Sequence, residues 1–200
     1  MAPLSPNCLH VVIDMQRLFA EETVWHTPAL MQILPNVTRL CQASGPRTVY
    51  AKFITPSRAE TAVGQWQTYY RRWRSVTADR IDPSLFDLVA PLAELSRKGH
   101  VVEKTAYSVF GAAGFDALLA ERRIDTLIFS GVETDVCVYA SVLGAIDRGL
   151  RVILVTDAVA SSDQAAHDAV IAHLLPRLPE QVEMVDTDVV LPALITLNRL

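Results

Sequence analysis

Two hundred residues, half of them apolar and a fifth charged, suit one globular domain over 1–200 with a single sizeable core. A formal net charge of -4 supplies no basic field for nucleic acid or anionic lipid, and the apolar stretches are too short and too often broken by charge to span a membrane. Three cysteines, Cys8, Cys41 and Cys137, with no basic leader segment, fit a reducing, cytoplasmic setting without a disulfide framework.

Short apolar runs alternate with helix-like segments, the pattern of parallel strands joined by crossover helices. In chain order, LHVVID (9–14) reads as the first strand, and a helix over 28–44 follows with Pro28 in its first turn. RTVYAKFI (47–54) is the second strand, followed by helices over 59–74 and 84–98, the latter closed by Gly99 as a C-cap. HVVEK (100–104) is the third strand, and a helix over 112–122 leads to DTLIFSG (125–131), the fourth. A helix over 134–148 ends at Gly149, before RVILVTDA (151–158). Ser161, Ser162 and Asp163 offer N-caps for a helix over 162–175, ahead of a weaker strand VEMVD (182–186) and a helix over 189–198. The fourth and fifth strands are apolar on successive residues, as strands covered on both faces are. The class is therefore layered α/β.

Open parallel sheets build their sites beyond the C-terminal ends of strands. The residues there are Asp14, Thr55, Lys104, the segment 131–137 and Asp157. Thr134 as an N-cap would put Cys137 in the first helical turn, where the dipole and free N–H groups lower a thiol pKa and favour the nucleophilic thiolate. Asp14 suits a general base of raised pKa, and Lys104 suits a cation that holds it charged or stabilises a thiolate. Each also has a plain structural alternative: a small buried cysteine, a turn-capping aspartate, a snorkelling lysine. Cys8 and Cys41 have no such setting and read as structural.

The flanking residues decide between these readings. Asp14-Met15-Gln16-Arg17-Leu18-Phe19 resembles the D-x-Q-x-x-F opening of the isochorismatase-like superfamily, and Lys104 to Phe110 (KTAYSVF) resembles its K-x-x-x-S-x-F block. Gly131 to Val138 (GVETDVCV) resembles its G-x-x-T-x-x-C-V block, and Val155 to Ala158 with Ser161-Ser162 follow the same pattern. The resemblance covers roughly residues 9–165, with the blocks in family order. It implies a Rossmann-like three-layer α/β/α fold with a six-stranded parallel sheet. It implies a catalytic triad of Asp14, Lys104 and Cys137, a cis peptide between Val132 and Glu133, and an oxyanion hole from the backbone amides of Glu133 and Cys137. The implied activity is hydrolysis of a C–N bond in a small amide, carbamoyl or ureido compound through a thioester. Vinyl-ether hydrolysis is the enzymatic alternative, although isochorismatases that perform it can lack the cysteine. A non-catalytic binding protein on the same fold is the third reading.

Some positions depart from the family pattern. Nicotinamidases of the superfamily carry a metal-binding aspartate and histidines after the second strand, whereas KFITPSRAETAVGQWQTYYRRWR contains no histidine. No metal or other cofactor is therefore expected, nicotinamide is disfavoured, and His10, His26, His100, His167 and His173 form no ligand spacing. Phe19, Trp25, Tyr107 and Phe110 flank the blocks and are the expected substrate-binding side chains. Trp66, Tyr70 and Trp73 share a helical face, read as core or subunit packing in preference to a lid, and point to a homo-oligomer, a dimer or tetramer. Arg58 could meet a substrate carboxylate or be a solvated loop residue, and Arg71, Arg72 and Arg74 read as a solvated face. The Glu133 side chain is expected to turn away from the site, the alternative being selection of an amine-bearing ligand.

Overall fold

A computed structural model describes residues 1–198; the last two positions of the expected domain lie outside them. Six parallel strands, β1 (Cys8–Ile13), β2 (Thr48–Phe53), β3 (His100–Lys104), β4 (Thr126–Val132), β5 (Arg151–Ala160) and β6 (Val182–Val185), form one open sheet in the order β3-β2-β1-β4-β5-β6. The helices are α1 (Arg17–Ala20), α2 (Leu30–Ser44), α3 (Trp66–Arg72), α4 (Leu92–Leu95), α5 (Phe115–Glu121), α6 (Tyr139–Ile146), α7 (Gln164–Ala169) and α8 (Thr187–Leu197). Strand order runs outward one way from β1 and the other way from β4. Right-handed crossovers must therefore place their helices on opposite faces, which makes three layers. α2 packs on β1, β4 and β5 and against α8, which also packs on β5, and α6 packs on β5. Every residue of β1 and β4 is buried, as strands covered on both faces require. Among the described residues no helix is long and apolar enough to cross a membrane.

α2 shows why helix and sheet fit. Leu30, Ile33, Leu34, Val37, Leu40 and Cys41 are buried at helical spacing, while Pro35, inside the helix, lies on the exposed side. Two expected helices are far shorter in the structure. The segment 59–74 breaks into a 3₁₀ turn, a left-handed Gly64 (φ 55°) and the two-turn α3. The segment 84–98 keeps only α4 as α-helix, because Pro91 lacks an N–H and bars helical geometry at Ala90. The expected 162–175 helix is α only to Ala169 and then widens to a π turn over Val170–Leu174. Pro28 precedes α2 rather than entering its first turn.

Gly149 is left-handed (φ 71°) as a C-cap glycine should be, but Gly99 is not (φ -108°). Gly99 is needed for space, since a Cβ there would sit 2.6 Å from the Thr48 carbonyl oxygen. Asp163 caps α7 by accepting from the Ala166 N–H at 3.1 Å.

Candidate active site

The topological switch lies between β1 and β4, and two of the three expected residues come from those strands. Asp14 follows β1 in the left-handed region (φ 53°), one of the few residue types that tolerates it, and its N–H donates to the Ala51 carbonyl at 2.9 Å. Gln16 is buried and braces the turn: its side-chain oxygen accepts from the Phe53 N–H at 2.7 Å, and its amide donates to the Phe53 and Phe86 carbonyls, each at 3.1 Å. The glutamine of the first block thus has a structural job, joining the ends of β1 and β2.

Lys104 ends β3, two strands from Asp14, a span of about 10 Å at ordinary strand spacing. Its long side chain crosses the intervening strand end over the Phe53 ring, 4.6 Å from the centroid, and donates to Asp14 Oδ2 at 2.8 Å and to the Ala106 carbonyl at 3.3 Å. Both residues are 0 % exposed. Asp14 Oδ1 is buried too, and among the described residues it has no hydrogen-bond partner. Burial raises the Asp14 carboxyl above its ordinary value, with Lys104 opposing. Burial by itself would lower Lys104, but the neighbouring Asp14 and Cys137 outweigh it and the ammonium is held above its ordinary value.

Cys137 stands in a π turn over Thr134–Val138 that leads into α6, with the Val132–Glu133 peptide bond cis just before it. Gly131 (φ 111°) lets β1 and β4 close up here: a Cβ would lie 2.1 Å from the Ile13 carbonyl oxygen. Two expectations about this segment are corrected. Thr134 is not the cap, since its hydroxyl pairs with His167 Nδ1 at 2.9 Å. The thiol is not of low pKa either. Cys137 is 7 % exposed, and burial, reinforced by the Asp14 charge, pushes it well above its ordinary value against the pull of Lys104. Burial thus favours the protonated thiol at rest.

The thiol opens on a small pocket, about 60 Å³, lined by Phe19, Trp25, Phe53, Tyr69, Tyr107, Glu133, Val136 and Cys137. Phe19, Trp25 and Tyr107, three of the side chains expected to bind substrate, are among its walls. Phe110 is not: it packs against Phe115, with Arg148 stacked on it at 3.8 Å, and a Cβ on Gly144 would meet its ring at 2.7 Å. Phe110 clips the lysine block to α6. Ser141 does the same, accepting from the Val109 N–H at 2.9 Å and donating to the Cys137 carbonyl at 2.7 Å.

Phe53, Tyr69 and Val136 escaped the sequence reading. Phe53 is a sheet-end residue and could have been found as one. Tyr69 lies in α3 between Trp66 and Tyr70, off the face that Trp66, Tyr70 and Trp73 would share, and lines the pocket. Tyr70 is core, and Trp66 meets Tyr107 at 4.8 Å. Glu133, expected to face away, lines the pocket, its Oε1 accepting from Thr27 Oγ1 at 3.2 Å and from the Ser162 N–H at 3.0 Å. Arg58 lies in a separate polar hollow with Arg71, Arg74 and Arg80.

Two other sheet-end positions stay outside the pocket. Thr55 is buried without lining it. Asp157 lies within β5, which runs to Ala160, and accepts from the Thr187 N–H and hydroxyl at 2.7 and 2.8 Å, anchoring the start of α8. Among the described residues no three His, Cys, Asp or Glu side chains gather as a ligand set.

Residues 8–188 match the isochorismatase domain. N-carbamoylsarcosine amidase of an Arthrobacter species is 30% identical over 135 residues, 64% of this chain and 49% of that protein. A probable inactive nicotinamidase of Arabidopsis thaliana is 26% identical over 176 residues, 84% of this chain and 88% of that one. The alignments span about half the length of two of the curated relatives, 45% and 49%. A cysteine hydrolase from Pseudomonas syringae pv. phaseolicola has the same fold, with a TM-score of 0.79 at 25% identity over 98% of this chain and 97% of that one. On its sheet order and its match over residues 8–188, the chain belongs to the isochorismatase family.

Proposed function

We propose that this isochorismatase-family chain is a cysteine-dependent amidohydrolase that cleaves the C–N bond of a small amide, carbamoyl or ureido compound. One observation carries the reading. A wholly buried Asp14–Lys104 ion pair keeps one carboxylate oxygen without a partner among the described residues, and the Cys137 thiol beside it opens on an aromatic pocket. A buried carboxylate with a free oxygen is costly unless it has a proton to accept.

In the proposed cycle Asp14 Oδ1 accepts the thiol proton and the sulfur electron pair attacks the carbonyl carbon. The carbonyl π electrons move to oxygen, which rests on the backbone amides of Glu133 and Cys137. The C–N bond breaks as the oxyanion collapses, and Asp14 passes its proton to the departing nitrogen, releasing ammonia or an amine and leaving a thioester. Water then attacks, Asp14 takes its proton, the C–S bond breaks, and the thiolate recovers the proton. Lys104 stays protonated throughout, so the negative charge that leaves Asp14 on proton uptake, carried by the sulfur and then by the oxyanion, keeps a cation beside it. The resemblance to an amidase in sequence favours this over vinyl-ether hydrolysis.

The test is ammonia release from a panel of small amides and ureas, with intact-mass detection of an acyl adduct. Cys137→Ala should lose turnover and adduct while keeping the wild-type circular dichroism spectrum and melting transition. Near-normal amide hydrolysis by Cys137→Ala would overturn the nucleophile assignment. Consumption of a vinyl ether with no amide turned over would overturn the reaction class.

A further inference from the structure

We infer that the pocket selects a compact amide bearing a positive charge, with the Glu133 carboxylate as its specificity-determining group; this rests on the amidohydrolase reading above.

The pocket combines two features that together recognise cations. Its walls are the rings of Phe19, Trp25, Phe53, Tyr69 and Tyr107, whose π faces attract an ammonium group, the more so when it is desolvated. Its charged wall is Glu133. That carboxylate is fixed by two neutral donors, the Thr27 hydroxyl and the Ser162 N–H, and among the described residues it has no Lys, Arg or His within salt-bridge distance. The lysine of the site is already committed, with Nζ 2.8 Å from Asp14 Oδ2. With the thiol protonated, Asp14, Lys104 and Glu133 sum to one negative charge.

Arg58, the sequence candidate for meeting a substrate carboxylate, lies in a different hollow. An anionic substrate would therefore bring its charge against an uncompensated carboxylate, whereas a cationic one would neutralise it. The cavity, about 60 Å³, is far below the roughly 300–1,000 Å³ of drug-sized sites, so the fitting substrate has few heavy atoms.

Glu133 has a competing structural role, as a clip between Thr27 and Ser162. Glutamine separates the two roles, because its side-chain oxygen can accept both hydrogen bonds without the charge.

The experiment compares two isosteric amides at a pH where amines are protonated, glycinamide (cationic) and propanamide (neutral), alongside the larger malonamate (anionic). The wild type should show kcat/KM for glycinamide at least about tenfold above propanamide, with malonamate lowest. Glu133→Gln should cut the glycinamide-to-propanamide ratio at least about fivefold. The ratio is the readout because the ammonium also activates its own carbonyl, in either enzyme. Equal turnover of glycinamide and propanamide by the wild type, or an unchanged ratio in Glu133→Gln, overturns the inference.

A binding arm separates this from the catalytic reading. Tetramethylammonium should quench tryptophan fluorescence, with Trp25 in the pocket wall, more tightly than tert-butanol, and Glu133→Gln should remove the difference. Cation binding of that kind without any amide turned over leaves the cation site standing and sinks the amidase. Amide turnover with indistinguishable binding of the two probes sinks the cation site alone.

Discussion

Three ionisable side chains meet where little water reaches, so burial and the neighbouring charges together set the protonation of each. Burial dominates at Cys137 and at Asp14 and raises both, while Lys104 is kept charged by its neighbours. An acid whose folded pKa is raised stays protonated at pH values where a free thiol is already part-ionised. Alkylation of Cys137 by iodoacetamide should therefore be slower at pH 8 than that of a free cysteine, and should keep rising beyond pH 9 without a plateau. Intact-mass rates against pH check this, and a plateau by pH 7 would mean a resting thiolate. The sequence placed these three residues in one site but assigned the thiol pKa the wrong direction. A helix N-terminus is visible in sequence, whereas the degree of burial that raises the thiol is a property of packing.

At the scale of elements, the family blocks mix chemistry with scaffolding. Asp14, Lys104 and Cys137 face one another, while Gln16 braces two strand ends, Ser141 ties the lysine block to the cysteine turn and Phe110 fills the notch over Gly144. A motif cannot announce which of its positions reacts and which merely holds. Gly131 shows the holding kind at its most stringent, needing both φ 111° and the absence of a Cβ. Gly131→Ala should destabilise the fold by more than about 3 kcal/mol, since strain and a backbone clash add. A urea-denaturation midpoint equal to that of the wild type would contradict this close approach. Strand positions were legible to within two residues because apolar runs mark them, but 59–74 and 84–98 were misjudged where Gly64 and Pro91 interrupt otherwise helical sequence.

Across the whole molecule, the sheet order converts chain positions far apart into one pocket at the β1/β4 switch, and the buried polar groups beneath it set how stability responds to acid. His10, wholly buried in β1, is bonded through Nε2 to Ser130 Oγ at 2.8 Å, and burial lowers its pKa to about 3. Above the unfolded value near 6.5 both states hold it neutral and its contribution is intact. As pH falls from 6.5 toward 3, only the unfolded chain takes up the proton, so the fold loses about 1.4 kcal/mol per pH unit from this residue. His10→Asn should flatten the acid limb of the stability-pH curve by one proton's slope. Parallel curves for the two proteins over that range would show that His10 is charged in the fold.

The sequence alone determined the α/β class, the six strands and the identity of the three central residues, because hydrophobic periodicity and residue chemistry are local or survive as motifs. The tertiary structure alone decided that Lys104 reaches Asp14 across β2, that Tyr69 and Phe53 wall the pocket in place of Phe110, and that Glu133 turns inward. Those outcomes depend on strand order, on helix length and on which groups lose their water, and such quantities exist only once distant segments have packed together.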